Sequence, residues 1–209
     1  MKELIKGYKE FKNSSDLNNK ELFDDLVDNG QHPSTFFVTC SDSRVVPNLI
    51  THSKPGDLFV ARNIGNFIPP FSKDAEYPSI GSALEYAVTA LEVEHIVICA
   101  HSECGAIGTL FKDVKPSDAN INIRKWLTLG APAKEKALKD KPNADLKELR
   151  DYTEKTSAVF QLDNLMTYPF VKERVEAGKL TLHAWHYNIR TGEILAFNKE
   201  SNSFEELNG

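Results

Sequence analysis

The sequence predicts an α/β fold: a single domain with a mostly parallel central sheet, flanked by helices, and an antiparallel edge strand near the C-terminus. Two observations predict it. Short runs of aromatic and β-branched residues alternate with segments of helical periodicity, as in βαβ units. Within each run, consecutive residues are apolar, as expected for strands that are covered on both faces. The length of 209 residues fits one domain over residues 1–209.

Helices are predicted at the start of the chain and in its second half. Apolar residues at helical spacing predict a helix over 2–12 and another over 16–28, where Gly30 follows as a helix terminator. A third helix is predicted over 79–91. Residues 120–177 have helical periodicity that is interrupted at Gly130 and at prolines 132, 142 and 169.

Strands are predicted between these helices and near the end of the chain. The apolar runs predict three strands over 35–39, 58–61 and 95–100, and then a late strand over 180–187 and a short edge strand over 193–197. The residues after 197 are polar and are expected on the surface or against a partner chain. No linker in the sequence indicates a second domain.

Charge and cysteine content exclude several classes of function. Lys and Arg total 25 against 30 for Asp and Glu, a net charge of −5, so binding to nucleic acid or to anionic membranes is not expected. No apolar stretch approaches the roughly 20 residues that span a bilayer, and the charged first residues do not resemble a secretory signal. Three cysteines do not form a disulfide framework, so a reducing, cytoplasmic location is expected.

Two polar clusters follow directly after predicted strands. Cys40-Ser41-Asp42-Ser43-Arg44 follows the strand over 35–39, and His101-Ser102-Glu103-Cys104-Gly105 follows the strand over 95–100. Ligands bind in the crevice at the carboxyl ends of strands in open parallel sheets. Both clusters are therefore expected to face one site.

Three of these side chains form a set that suits zinc. Cys40, His101 and Cys104 would supply two thiolates and one imidazole, and three protein ligands with an open fourth position are typical of catalytic zinc. Asp42 would orient the attacking nucleophile, and Arg44 would hold Asp42 ionised and oriented.

Each feature also has an ordinary structural interpretation when it is taken alone. The His101 to Cys104 pair alone could be the start of a helix, and Cys40 alone could be a small buried apolar residue. Cys99 lies inside an apolar run and is predicted to be a core residue. His183 and His186 fall on opposite faces of a strand, so they are not expected to share an ion.

Together, these motifs resemble those of the β-class carbonic anhydrases. The resemblance covers roughly residues 20–197 and includes the 62–66 segment (RNIGN) and the 85–88 stretch (EYAV). It implies an enzyme that hydrates carbon dioxide reversibly to bicarbonate, with one Zn²⁺ per subunit held by Cys40, His101 and Cys104 and with Asp42 and Arg44 beside it. It also implies self-association to a dimer or tetramer, with active sites at the dimer interface. The helices over 2–28 are expected to pack on a partner subunit.

The same resemblance assigns residues to the substrate pocket. Gln31 matches a glutamine that hydrogen-bonds substrate in a plant-like branch, and Gly105 matches the small residue that lets substrate approach zinc. Apolar walls are implied for Phe59, Ile64 and Tyr86, although ordinary core packing explains these three equally well. A bicarbonate-regulated branch has Trp where this chain has Phe37, so a bicarbonate-driven switch is not expected.

Other functions remain open from the sequence. Hydrolases of carbonyl sulfide or carbon disulfide resemble this family and use the same zinc chemistry. A non-catalytic zinc-binding module would need a fourth ligand, for which no Cys or His stands at a suitable spacing. A thiol redox protein is less consistent with the sequence, because no C-x-x-C motif is present.

Overall fold

The computed structural model describes residues 1–13, 20–75 and 78–207 and contains two compact units, residues 1–32 and 33–209. The first unit contains α1 (Lys2–Asn13) and α2 (Lys20–Asp28). Both predicted helices are therefore present, although residues 16–19 of the second lie outside the described residues. Leu4, Ile5 and Tyr8 on α1 are exposed. The assignment of 1–209 to one domain, with 2–28 against a partner, stays a prediction.

The second unit is built on a six-stranded sheet. Its strands are β1 (Thr35–Cys40), β2 (Leu58–Asn63), β3 (His95–His101), β4 (Thr181–Tyr187), β5 (Ile194–Asn198) and β6 (Ser203–Glu206). They lie in the order β2-β1-β3-β4-β5-β6. The first four are parallel, whereas β5 and β6 pair antiparallel. The predicted fold class is confirmed.

The antiparallel end of the sheet is one strand longer than predicted. β5 lies at the predicted place but is not the edge strand, because β6 pairs with it through Ala196↔Glu205 and Phe197↔Phe204. The rings of Phe197 and Phe204 are 5.5 Å apart. β6 has a single apolar residue in four, too few to show an alternating pattern in the sequence.

Helices cover the sheet and connect its strands. They are α3 (Pro47–Thr51), α4 (Ser79–Glu85), α5 (Gly105–Leu110), α6 (Ile121–Leu127), α7 (Ala131–Asp140), α8 (Leu146–Met166) and α9 (Pro169–Glu176). α4 continues as a π-helical turn over Tyr86–Ala90, which accounts for the predicted helix over 79–91. No helix in the described part of the chain is long and apolar enough to span a membrane.

The core lies on both faces of the parallel strands. Alternation along β1 places Phe36 in the larger cluster, which includes Leu84 of α4 and Leu165 of α8, all fully buried. Phe37 points to the other face and packs with Cys99 and other residues in a smaller cluster. The register Thr39↔Cys99 sets the ends of β1 and β3 side by side, so the residues that follow both strands meet at one edge of the sheet.

Candidate metal centre

The ends of β1 and β3 bring the three predicted ligands together. Cys40 is the last residue of β1, His101 is the last of β3, and Cys104 lies directly before α5. One ligand atom from each lies within 4.8 Å of those of the other two, and all three residues are buried. A tetrahedral zinc site, with bonds of about 2.0–2.3 Å to nitrogen and sulfur, fits among three donors at such separations.

His101 presents one ring nitrogen to the other two ligands. Its Nδ1–H donates to the carbonyl oxygen of Ser102 at 2.9 Å, which leaves Nε2 as the unprotonated nitrogen. Nε2 is buried and has no hydrogen-bond partner among the described residues. A buried nitrogen without a partner is costly, and a cation between His101 and the two sulfurs would satisfy it. The residues therefore fit a zinc ion.

A hydrogen bond joins the side chains of Cys40 and Cys104. A hydrogen bond from the Cys104 thiol lowers the pKa of Cys40 well below its usual range, although burial opposes this shift. The N–H of Gly65, which donates to Cys40 Sγ at 3.4 Å, favours the Cys40 thiolate further. The same Cys40–Cys104 bond, together with burial, raises the pKa of Cys104. A divalent cation would replace the shared proton and stabilise the second thiolate.

A tight turn after β2 places the N–H of Gly65 against Cys40. Gly65 has φ of +80°, a conformation that favours glycine. A Cβ at this position would lie 2.8 Å from the Phe67 ring and 3.0 Å from the Ala106 Cβ. Asn63 closes the turn, because its side chain both donates to and accepts from the backbone of Phe67 at 2.9 Å.

Two further side chains hold this turn and the strand end in place. Arg62 donates from Nε to the Cys40 carbonyl at 3.2 Å and from Nη2 to the Asp42 carbonyl at 2.7 Å. Trp126 of α6 donates from Nε1 to the Ile64 carbonyl at 2.7 Å. The turn is thus tied both to the ligand-bearing strand and to a helix.

Asp42 and Arg44 form the predicted pair beside the ligands. Arg44 Nε donates to Asp42 Oδ1 at 2.9 Å and its Nη2 donates to Oδ2 at 2.7 Å, which is a bidentate contact. The hydrogen bond from Arg44 holds the pKa of Asp42 well below its usual range. Asp42 Oδ2 lies 4.0 Å from His101 Nε2. The carboxylate is therefore ionised and faces the space that the ligands enclose.

Of the predicted pocket residues, only Ile64 and Gly105 lie beside the ligands in this unit. Ile64 precedes Gly65 and is 42% exposed, and Gly105 follows Cys104 with nothing within 4 Å of the Cβ position. Gln31 belongs to the first unit and is exposed. Its role, like those of Ile64 and Gly105, stays a prediction.

Phe59 and Tyr86 lie away from the ligands of their own chain. Their rings are 5.8 Å apart, and Phe59 is paired with Phe36 in the strand register. Phe36 precedes Cys40 by four residues, which is roughly 13 Å along a strand. The alternative of core packing accounts for the buried side of Phe59, whereas Tyr86 is 51% exposed.

Three other sequence expectations can be compared with the structure. Cys99 is fully buried, which confirms it as a core residue. His183 and His186 contact different partners, His95 and Glu154, as expected for residues on opposite faces of β4. Phe37 is buried with its ring 5.9 Å from that of Trp185. The absence of a bicarbonate-driven switch stays a prediction.

Sequence reasoning missed a buried glutamate that contacts the ligand loop. Glu154 of α8 is 2% exposed and accepts a hydrogen bond from the backbone N–H of Cys104 at 2.9 Å. Helical spacing gives a signal that could have found it, because Glu154 stands four residues before Ala158 and seven before Gln161 on the buried face of α8. A backbone donor such as Gly65 N–H leaves no comparable signal.

Comparison with known proteins assigns the family. The carbonic anhydrase family model matches residues 35–194. A solved structure of the β-carbonic anhydrase CcaA superposes with a TM-score of 0.93 at 37% identity, covering 100% of this chain and 92% of that one. The chain belongs to the β-class carbonic anhydrases.

A curated relative and a second solved structure agree with this assignment. A carbonic anhydrase of Helicobacter pylori is 40% identical over 209 residues, which is 98% of this chain and 94% of the relative. A structure of tetrameric β-carbonic anhydrases from Sordaria macrospora has a TM-score of 0.75 at 27% identity and covers 94% of this chain and 93% of that one. Zinc is the cofactor of the family, and the Cys40, His101 and Cys104 cluster fits it. The predicted plant-like branch stays a prediction.

Proposed function

We propose that this β-class carbonic anhydrase catalyses the reversible hydration of carbon dioxide to bicarbonate and a proton, with one Zn²⁺ per subunit. One observation carries the proposal: the three buried ligand atoms lie within 4.8 Å of one another, and an ionised Asp42–Arg44 pair stands 4.0 Å from His101 Nε2. Zinc bound there would act as a Lewis acid that makes water a nucleophile near neutral pH.

The chain's own residues orient the reaction. Arg44 donates hydrogen bonds to both carboxylate oxygens of Asp42 and also donates to the Glu103 carbonyl at 3.1 Å. The carboxylate therefore cannot rotate freely. Asp42 would accept a hydrogen bond from the attacking water and fix the direction of its lone pair. Because its pKa is depressed, Asp42 remains an acceptor across the neutral range.

The substrate is proposed to lie over the ligands between Ile64 and Gly105. Carbon dioxide is small and apolar, so an exposed isoleucine and a residue without a side chain suit its approach. Gln31 would donate a hydrogen bond to one substrate oxygen. Such a donor stabilises the negative charge that develops on that oxygen during attack.

The remaining pocket residues are proposed to serve a second copy of the chain. β2 is an edge strand of the sheet, and exposed apolar side chains lie on it and beside it, at Val60, Ile64 and Tyr86. An exposed apolar edge favours association. We place Phe59 and Tyr86 as walls of a partner's site in a dimer or tetramer, with the helices of the first unit packed on the partner.

The free cysteines favour a location in a reducing compartment. Cys40, Cys99 and Cys104 are all free and buried, and the two that would bind zinc need to stay reduced. We therefore propose a cytoplasmic location for this enzyme.

The substitution Asp42→Asn tests the assignment. It removes the charge that orients water but none of the three ligands, so turnover is expected to fall about 100-fold while zinc content stays near that of the parent. Stopped-flow hydration of carbon dioxide and metal analysis of the same sample make the measurement. Asp163→Asn, which changes an exposed carboxylate on α8, is the matched control.

Two results would contradict the proposal. Equal loss of zinc and turnover in Asp42→Asn would make Asp42 a ligand or a structural residue. Release of sulfide from carbonyl sulfide by the parent, without carbon dioxide hydration, would assign the site to the alternative hydrolase activity.

A further inference from the structure

A buried carboxylate contacts the backbone of the metal-ligand loop. Glu154 projects from α8, and its side chain is 3% exposed. Its Oε1 accepts a hydrogen bond from the N–H of Cys104 at 2.9 Å. The bond joins residues 50 positions apart, so it fixes the Cys104 backbone to a helix that contributes no ligand.

The second oxygen of Glu154 is also engaged. His186 of β4, whose side chain is likewise 3% exposed, places Nε2 3.4 Å from Glu154 Oε2. A carboxylate in the interior is unfavourable unless hydrogen bonds replace its lost hydration. Here both oxygens have donors, one from the ligand loop and one from the sheet, so the side chain is held between the two.

The ligand loop needs such support because its backbone is strained. Glu103, between the ligands His101 and Cys104, has φ of +58°, a conformation that is unfavourable for a residue with a side chain. A second residue of α8, Arg150, contacts the same loop through the Glu103 carboxylate at 3.5 Å. Arg150 and Glu154 are one helical turn apart, so adjacent turns of α8 contact the ligand loop.

We propose that Glu154, held by His186, is a positioning residue for the metal centre: its hydrogen bond to the Cys104 N–H sets the Cys104 sulfur for zinc. The inference rests on the proposed metal centre. Because the acceptor is a carboxylate, the bond is stronger than one to a neutral group. Glu154 acts through Cys104 and does not contact the substrate.

Zinc release measures this role without reference to activity. Glu154→Met keeps the approximate volume of the side chain but leaves the Cys104 N–H without an acceptor, and Glu154→Gln keeps an acceptor without the charge. Asp163→Asn is the control, since Asp163 lies on the same helix and is exposed. The rate of zinc loss to a chelator is measured for each variant, as is the absorption spectrum after Co²⁺ replaces zinc.

The expected result is graded. Glu154→Met should release zinc about 10- to 100-fold faster than the parent, as is typical when support of a ligand is lost. Its cobalt bands should shift, because they report the geometry of the sulfur and nitrogen donors. Glu154→Gln should lie between Glu154→Met and the parent, and Asp163→Asn should match the parent.

Several outcomes would overturn the inference. Parent-like release and cobalt bands in Glu154→Met would show that the bond does not position Cys104. Faster release with unshifted bands would indicate general loosening instead. If Glu154→Met fails to fold, Glu154→Gln decides, and parent-like values for it refute the role. A parent that binds no zinc would instead refute the proposed metal centre.

Discussion

The turn at Gly65 should tolerate no side chain, and Gly65→Ala tests this directly. An alanine there must adopt φ of +80°, and its Cβ would meet Phe67 at 2.8 and 2.9 Å and Ala106 at 3.0 Å. Both neighbours are buried, and Phe67 is fully so, which limits their movement. Any shift of the turn would also move the N–H that donates to Cys40 Sγ.

The cost has two parts. The left-handed conformation costs a residue with a Cβ about 1–2 kcal/mol, and overpacking a tight interior costs about 1–3 kcal/mol. Together they lower the free energy of unfolding by about 2–5 kcal/mol, a large share of the roughly 5–15 kcal/mol of a typical domain. For a chain of this length, that corresponds to a fall in Tm of about 4–20 °C.

Thermal unfolding at one fixed protein concentration provides the measurement, because Tm depends on concentration in an associating protein. Gly105→Ala is the matched control, since nothing lies within 4 Å of its Cβ position and its φ is not positive. In a helix this change should leave Tm unchanged or raise it slightly. Equal Tm values for the two variants would refute the reasoning about Gly65.

Two further predictions concern a buried cysteine and a half-buried histidine outside the metal centre. Burial raises the pKa of Cys99 to about 12, so iodoacetamide should modify Cys99 only in unfolded protein; mass spectrometry showing its alkylation in the native state would contradict this. Burial, then the charges of His95 and Lys199, lowers the pKa of His183. Its contribution to the free energy of unfolding is therefore complete above the unfolded pKa of about 6.5 and declines as pH falls. The urea midpoint should fall less in His183→Gln than in the parent between about pH 7.5 and about pH 5.5; an equal fall would exclude this role.

Local patterns explain how much of the fold could be predicted. The apolar runs at 35–39 and 95–100 are continuous because β1 and β3 are covered on both faces. Short segments of sequence are therefore enough to predict the position of these two strands and their parallel arrangement. β6 was missed because its pairing with β5 depends on the chain returning to the sheet, and Ser203–Glu206 has no strong strand pattern.

The candidate site was likewise only partly predictable from the sequence. Cys40 and His101 could be placed together, because a general rule brings the ends of parallel strands to one edge. The contact of Glu154 with Cys104 depends on how α8 is rotated and shifted against the sheet, which helical spacing alone does not determine. Whether Phe59 could reach Cys40 depended on the strand register, which separates them by four residues.

The distribution of the metal-binding residues along the chain has a consequence for biosynthesis. Cys40 leaves the ribosome well before His101, and Glu154 and His186 emerge later still. At about 5–20 residues per second, several seconds separate the first ligand from its supports. Because pairing of distant parallel strands is slow, the nascent polypeptide carries three unprotected thiols. A cell that makes this enzyme therefore has to keep those thiols reduced until the residues that support the site have been synthesised.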